Sequence, residues 1–353
     1  MRIGVGTLFI NQIRSLTFKK NKYDINCWSN RLCWRYLTVY LKDKGYDILA
    51  LGRSQKVKPF FAKNEIPFQY FDINDEDSYN NLPTNNVEAV VCLSACLAEH
   101  ETPVEKFFEV NTLGVYKLLE FCRKNGIKKF ILSSSHKVYN DINKEVIAES
   151  DGISFKGDHS PYIISKIAAE NFVDYYRKDF GIEGIILRFT GVHGYGEILG
   201  HLNTDGTYTK STFEIFFERV LEGKKIEVWG DQSIKRDHIY IKDVLSAVRA
   251  AIDAKGVTGT FTIAMGRGYS QYEEAKALNI VFGGGKSEIE LHPEKPGLTR
   301  GYIYDITKAK HALNWEPKYT DMVELYRDYK KEWESKKYHN YHFIQPEQAP
   351  KTL

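Results

Sequence analysis

The strongest constraint on the fold is a regular alternation of apolar strands and amphipathic helices between residues 36 and 189. Residues 36–44 predict a helix stopped at Gly45, and residues 46–52 a buried strand. Short strands are expected at 68–73 and at 87–95, the second rich in Val, Leu and Ala. A long helix over 104–125 closes at Gly126 and leads directly into a strand at 129–133. Another helix, over 161–180, closes at Gly181 before a strand at 184–189. Alternation of this kind predicts an α/β fold, a doubly wound parallel sheet covered on both faces. Ligands of such sheets gather beyond the carboxyl ends of the strands, and Asp72, Ser94 and Ser135 stand at or near three of those ends.

After Thr190 the rhythm breaks. A Gly/Tyr/Asn-rich loop over 191–210 precedes an amphipathic helix at 212–221 and a strand at 226–229. This predicts a smaller, discontinuous C-terminal substrate lobe over the edge of the sheet. The expected division is 1–189 with 238–266 returning to it as the sheet domain, and 190–237 with 267–335 as the lobe. Residues 336–353 read as a tail, whose His339 and His342 are expected to be solvated rather than metal ligands.

A net charge of +3 with short, scattered lysine clusters argues against nucleic acid. No apolar run reaches membrane length, and the N-terminus carries no signal-peptide pattern, so no membrane association is expected. The five cysteines are odd in number and form no Cys-x-x-Cys. That argues against a metal or redox centre and for a reducing cytoplasm.

The chemistry concentrates between residues 131 and 166. A strand ends in Ser133-Ser134-Ser135, and Tyr162 and Lys166 stand four apart on the following helix. A hydroxyl, a phenol and an ammonium can thereby meet around one carbon, with the ammonium lowering the phenol's pKa for acid/base work. The spacing alone is a weak signal, since Tyr40/Lys44, Tyr272/Lys276, Tyr304/Lys308 and Tyr326/Lys330 repeat it as neighbouring pairs on helix faces.

The surroundings lift the pair at 162/166 above the others. Several segments occur in one order: 90–95 with Asn111-Thr112-Leu113-Gly114; Ser135 with Val138-Tyr139; Tyr162 with Lys166; Leu187-Arg188 with Gly194; Arg236-Asp237 with Tyr240 and Asp243; and Asp305 with Trp315 and Pro317. Over residues 36–330 the chain resembles the extended short-chain dehydrogenase/reductase family, in its nucleotide-sugar epimerase/dehydratase branch. The resemblance implies a Rossmann-type sheet, an NAD or NADP cofactor, a nucleotide-diphosphate sugar as substrate, and a homodimer. It assigns Ser135 to the reacting sugar oxygen, Tyr162 to proton transfer, and Lys166 to the nicotinamide ribose and the tyrosine. It places Asp72 and Ile73 at the adenine, and Leu93, Ser94 and Ala95 along the ribose and phosphates, with Asn111 and Phe189 also lining the cofactor. Arg53 stands at the cofactor-choice position, where an arginine leans towards the 2′-phosphate of NADP. Arg236 is expected to grip the substrate diphosphate, or else to pair with Asp237 or Asp243 at the surface. His136 either touches the substrate or fills the loop.

The pattern breaks at its start. A Gly-x-x-Gly-x-x-Gly loop, which lets a backbone approach the pyrophosphate, belongs about ten residues before Tyr36. Residues 25–34 contain no glycine, and Trp28, Arg31 and Trp34 fall at the three glycine positions. Codon arithmetic offers a reason: one-base displacement of the reading frame through 25–34 permits Leu-Ile-Val-Gly-Ala-Thr-Gly-Phe-Val-Gly. Residues 19–34 therefore read as a frame-shifted cofactor loop, with a genuine unusual extension as the alternative. Nucleotide sequencing across this stretch separates the two.

Dehydratases of this branch carry an acidic pair after the catalytic hydroxyl, whereas His136 and Lys137 stand here. The expectation is therefore a sugar 4-epimerase working through transient hydride transfer, with an NAD(P)H-dependent ketoreductase as the alternative. A cofactor-deficient, inactive sugar-nucleotide-binding relative is a second alternative.

Overall fold

The structure is a computed structural model, which describes residues 6–10, 25–26, 31–96, 102–156, 159–196, 201–202 and 208–338. Residues 19–24, Trp28, His339 and His342 lie outside the described residues. Two segments precede the first helix: β1 (Gly6–Ile10) and β2 (Ile25–Asn26). Helix α1 (Arg31–Asp43) leads to β3 (Ile48–Gly52), then to α2 (Lys58–Lys63) and β4 (Phe68–Tyr70). After β5 (Ala89–Cys92), the expected long helix is divided into α3 (Val104–Phe108), a π-helical turn (Glu109–Leu113) and α4 (Gly114–Lys124). β6 (Lys129–Ser135), the short β7 (Val146–Ile147), α5 (Pro161–Phe180) and β8 (Glu183–Phe189) follow.

These strands form one sheet in the spatial order β4-β3-β2-β5-β6-β8, completed at the far edge by the strand Gly259–Ile263. Each of those neighbours is parallel to the next. This is the doubly wound arrangement, and the order reverses between β2 and β5. β1 departs from it, running antiparallel to both β3 and β5. Ala50 is matched to Leu8 in one pairing and to Ile25 in the other. Neighbouring strands lie roughly 4.8 Å apart, so the gap between β3 and β5 has the width of one strand.

Local chemistry explains the element ends. Ser160 caps α5 by accepting from the Ile163 amide, Pro161 occupies its first turn, and Gly181 closes it at φ 65°. At Gly114 a Cβ would lie 2.9 Å from Ile73 Cδ1, so the start of α4 can sit on buried Ile73 only without a side chain. The remaining strands make small pairings outside the sheet: Gly191–His193 lies parallel to Arg236–Tyr240, and Ile226–Trp229 parallel to Ile289–His292. Tyr338 stacks on Tyr36 with ring centres 3.5 Å apart, so the start of the expected tail packs on α1. No helix among the described residues is long and apolar enough to cross a membrane.

The Gly114–Ile73 contact is testable. Gly114→Ala should cost about 1–3 kcal/mol of stability, measured by chemical denaturation. Ile73→Val should recover part of that loss in the double variant, through a coupling of about 0.5 kcal/mol or more.

Candidate functional site

Because β3, β5, β6 and β8 run parallel, their carboxyl ends open on one edge of the sheet. Arg53 follows β3, Leu93-Ser94-Ala95 follow β5, Ser135 ends β6 and Phe189 ends β8. Ser135 and Phe189 are direct partners across the last rung of the β6–β8 ladder. These six residues expected at the site therefore share one rim.

Tyr162 lies in the first turn of α5 and Lys166 one turn further on. The half-buried phenol lies beside Ser135, whose Oγ accepts from the Lys137 amide at 3.2 Å. Lys166 is 1% exposed, and its ammonium donates to the Ser133 carbonyl at 2.6 Å. Burial pushes the Tyr162 phenol up to about 12, with only Ser135 acting against it. In this arrangement burial outweighs the lowering expected from the lysine, whose ammonium is engaged at Ser133. Burial in turn pushes Lys166 down to about 8, opposed by Cys92 and Glu170.

The π-helical turn holds α5 in place. Asn111 Nδ2 donates to Ser165 Oγ at 2.9 Å and to the Cys96 carbonyl at 3.1 Å. Ser165 Oγ donates to the Tyr162 carbonyl at 2.7 Å, and Thr112 Oγ1 to the Ser165 carbonyl at 2.9 Å. Asn111 was expected at the cofactor, yet both its amide hydrogens are used in joining the segment after β5 to the helix of Tyr162. At the opposite end of the rim, Arg53 Nη1 pairs with Asp72 Oδ2 at 3.1 Å, so the cofactor-choice arginine and the expected adenine contact neutralise each other. Ile73 is fully buried beneath Gly114.

His136 is buried, with Nδ1 2.9 Å from the Tyr304 hydroxyl. Burial, aided by Lys137, Arg236 and Arg300, pushes it down to about 3, so the imidazole is neutral at ordinary pH. Arg236 donates from Nε to the Arg300 carbonyl at 3.1 Å and lies 5.5 Å from the Tyr302 ring centre. Asp237 and Asp243 are held elsewhere: Asp237 accepts from the amides of Met265, Gly266 and Tyr304, and Asp243 from those of Lys318 and Tyr319. Arg300 and Glu170 escaped the sequence reading, and Tyr304, read there as paired with Lys308 on a helix face, lies on the strand Ile303–Tyr304. Only Glu170 carried a readable signal, its four-residue spacing from Lys166 on one helix.

The rim fits a nicotinamide dinucleotide at one end and not at the other. Ser135, Tyr162 and Lys166 offer a hydroxyl, a phenol and an ammonium where the reactive ring would lie. At the pyrophosphate end, β2 and α1 stand in the strand and helix positions of the first unit, but residues 25–34 supply no glycine. Trp34, at the third glycine position, is buried edge-on against Phe61 with ring centres 4.8 Å apart. Its indole Nε1 has no hydrogen-bond partner. A glycine there lets a helix pack close to its strand; an indole fills that space.

Comparison with known proteins adds to this geometry. The model of the family described as "NAD dependent epimerase/dehydratase family" matches residues 35–264. The UDP-glucose 4-epimerase of Mycolicibacterium smegmatis is 26% identical over 276 residues, covering 77% of this chain and 85% of the relative. The solved UDP-glucose 4-epimerase of Thermotoga maritima with UDP-glucose is 26% identical, with a TM-score of 0.66 over 87% of this chain and 98% of that one. The solved UDP-N-acetylglucosamine 4-epimerase of Bacillus cereus, 22% identical with a TM-score of 0.68 over 84% of this chain and 94% of that one, shares the fold.

Titration calorimetry tests the broken end. The chain as written should bind NAD and NADP weakly or not at all. Exchange of residues 25–34 for Leu-Ile-Val-Gly-Ala-Thr-Gly-Phe-Val-Gly should tighten binding by about ten-fold or more. Stoichiometric dinucleotide retained by the unaltered chain would contradict this.

Proposed function

We propose, from the premise that the chain belongs to the NAD dependent epimerase/dehydratase family, that it is built to invert a hydroxyl-bearing carbon of a UDP-sugar at C4. The observation that carries this reading is the placing of the Tyr162 phenol beside Ser135 at the sheet's carboxyl rim, with buried Lys166 one turn along the same helix. A nicotinamide dinucleotide bound along the strand ends would supply the hydride acceptor and donor. Ser135 would hold the reacting sugar oxygen, and Tyr162 Oη would accept its proton and later return it after the keto-sugar has turned over. As built, the phenol is protonated near neutral pH and stands ready as the donor. Its service as acceptor requires the opposing charge of Lys166. Arg236, lacking a carboxylate partner among the described residues, is the cation proposed to meet the diphosphate.

Dehydration finds no support here, since buried, neutral His136 occupies the place of an acidic group. Ketone reduction uses the same three side chains and remains the second reading; Arg53 would then favour NADP, although Asp72 already draws on its charge. If residues 25–34 are made as written, the chain would instead be a sugar-nucleotide binder without turnover.

An apolar face on α4 and α5 supports pairing of two copies. Tyr116, Ile164 and Tyr175 are all more than a third exposed there, and Tyr116 meets Phe172 with ring centres 5.5 Å apart. A contiguous apolar surface of this kind marks a contact site.

The chemistry is tested on the protein carrying the restored glycine loop, incubated with UDP-glucose and catalytic NAD. UDP-galactose should accumulate without net NADH, and Tyr162→Phe should reduce turnover about 10²–10⁴-fold with UDP-sugar binding within a few-fold. Stoichiometric consumption of added NADPH would select the reductase. In sedimentation velocity the chain should behave as a dimer, and Ile164→Asp with Tyr175→Lys should shift it to monomer.

A further inference from the structure

A guanidinium and a carboxylate buried together are costly unless both are fully paired, and this protein places such a pair one helical turn from its buried lysine. Glu170 follows Lys166 by four residues on α5, so the two side chains rise from one face. Glu170 and Arg188 are 5% and 6% exposed. Arg188, on β8, clasps both carboxylate oxygens, Nε to Oε1 at 3.0 Å and Nη2 to Oε2 at 2.6 Å. Its Nη1 donates to the Tyr139 hydroxyl, and the guanidinium carbon lies 4.7 Å from that ring's centre. Tyr139 ends the turn His136–Tyr139, which begins immediately after Ser135. Its hydroxyl reaches Thr262 Oγ1, on the edge strand, at 3.5 Å. One ion pair thus joins the helix of Tyr162 and Lys166 to the loop of Ser135.

We propose that Glu170 is a positioning residue that also acts electrostatically. Clasped by Arg188 and Tyr139, it fixes α5 against the Ser135 loop and keeps Lys166 charged. The inference rests on the reading of Lys166 as the cation that serves Tyr162. The groups facing Lys166 are Glu170 from its own helix, the Cys92 thiol from β5, and the Ser133 carbonyl from β6. Burial works against the ammonium, while Cys92 and Glu170 favour it. Burial also raises the Cys92 thiol, so that group stays uncharged at neutral pH. Glu170 is then the standing negative charge that opposes desolvation of Lys166.

The test is the titration of the Lys166 side chain, followed by NMR on the full chain labelled at lysine, which needs no turnover. Glu170→Gln should move the Lys166 midpoint to lower pH, whereas Glu170→Asp and Tyr139→Phe should leave it in place. In the turnover assay with the restored loop, Glu170→Gln should lower kcat about three-fold or more at pH 8 with KM within two-fold. The alkaline limb of its pH profile should also move down, because the neutral lysine forms earlier. If Glu170→Gln does not fold, Glu170→Gln with Arg188→Met removes both charges and should move Lys166 in the same direction. An unmoved midpoint in either folded variant overturns the proposal, as does an equal displacement in Tyr139→Phe, which would reveal a packing effect. Lys166→Met separates the two levels. Retained turnover in that variant removes the catalytic reading itself, whereas lost turnover beside an unmoved Glu170→Gln midpoint removes only this inference.

Discussion

The parallel ladder between β6 and β8 is the constraint on which the rest of the site depends. It runs unbroken from Lys129↔Glu183 to Ser135↔Phe189, and β6 is buried along its whole length. A slip of one residue would turn every side chain to the opposite face, exchanging Ser135 for Ser134 at the rim. The ladder is pinned at its foot, where Lys129 donates to the carbonyls of Ile252 and Ala254 at the end of the helix Ile241–Asp253. α5 is the crossover between these two strands, so the ladder also decides where Tyr162 descends. Ser135 and Tyr162 meet because one register sets both.

The part of the chain beyond residue 190 completes the site from above. Asp237 gathers the Met265, Gly266 and Tyr304 amides around one carboxylate, although burial pushes that carboxyl up to about 7. Tyr304 then meets His136, and Arg300 donates to the carbonyls of Tyr139, Asn140 and Ile142. The loop after Ser135 is therefore gripped by side chains from about 160 residues later in sequence. The rim belongs to two distant stretches of chain, and neither defines it alone.

The sheet was legible because its signals are local: strand runs of Val, Ile and Leu, with glycines at helix ends. Residues 161–180 and 226–229 match the observed elements at both ends. The trio proposed as catalytic, Ser135, Tyr162 and Lys166, was picked out by ordered motifs rather than by spacing. What escaped was pairing. Nothing in the sequence announces that Arg53 meets Asp72, that Asn111 spends its amide on Cys96 and Ser165, or that Arg188 closes on Glu170. Each depends on long-range packing. The π-helical turn at Glu109–Leu113 escaped as well, since residues 104–125 read as one helix. The phenol of Tyr162 shows the same limit: its neighbours were readable, but the depth of its burial was not.

β2, at Ile25–Asn26, stands parallel between β3 and β5 although residues 25–34 contain no glycine. Backbone hydrogen bonding is indifferent to side chains, so a sheet can be mended by a foreign sequence in a way that a phosphate cradle cannot. Solubility, cooperative melting and circular dichroism would all report a healthy protein while the cofactor loop was missing. An absent glycine loop is silent to assays of folding and visible to an assay of binding. Architecture and chemistry in this protein can therefore be inherited, and lost, separately.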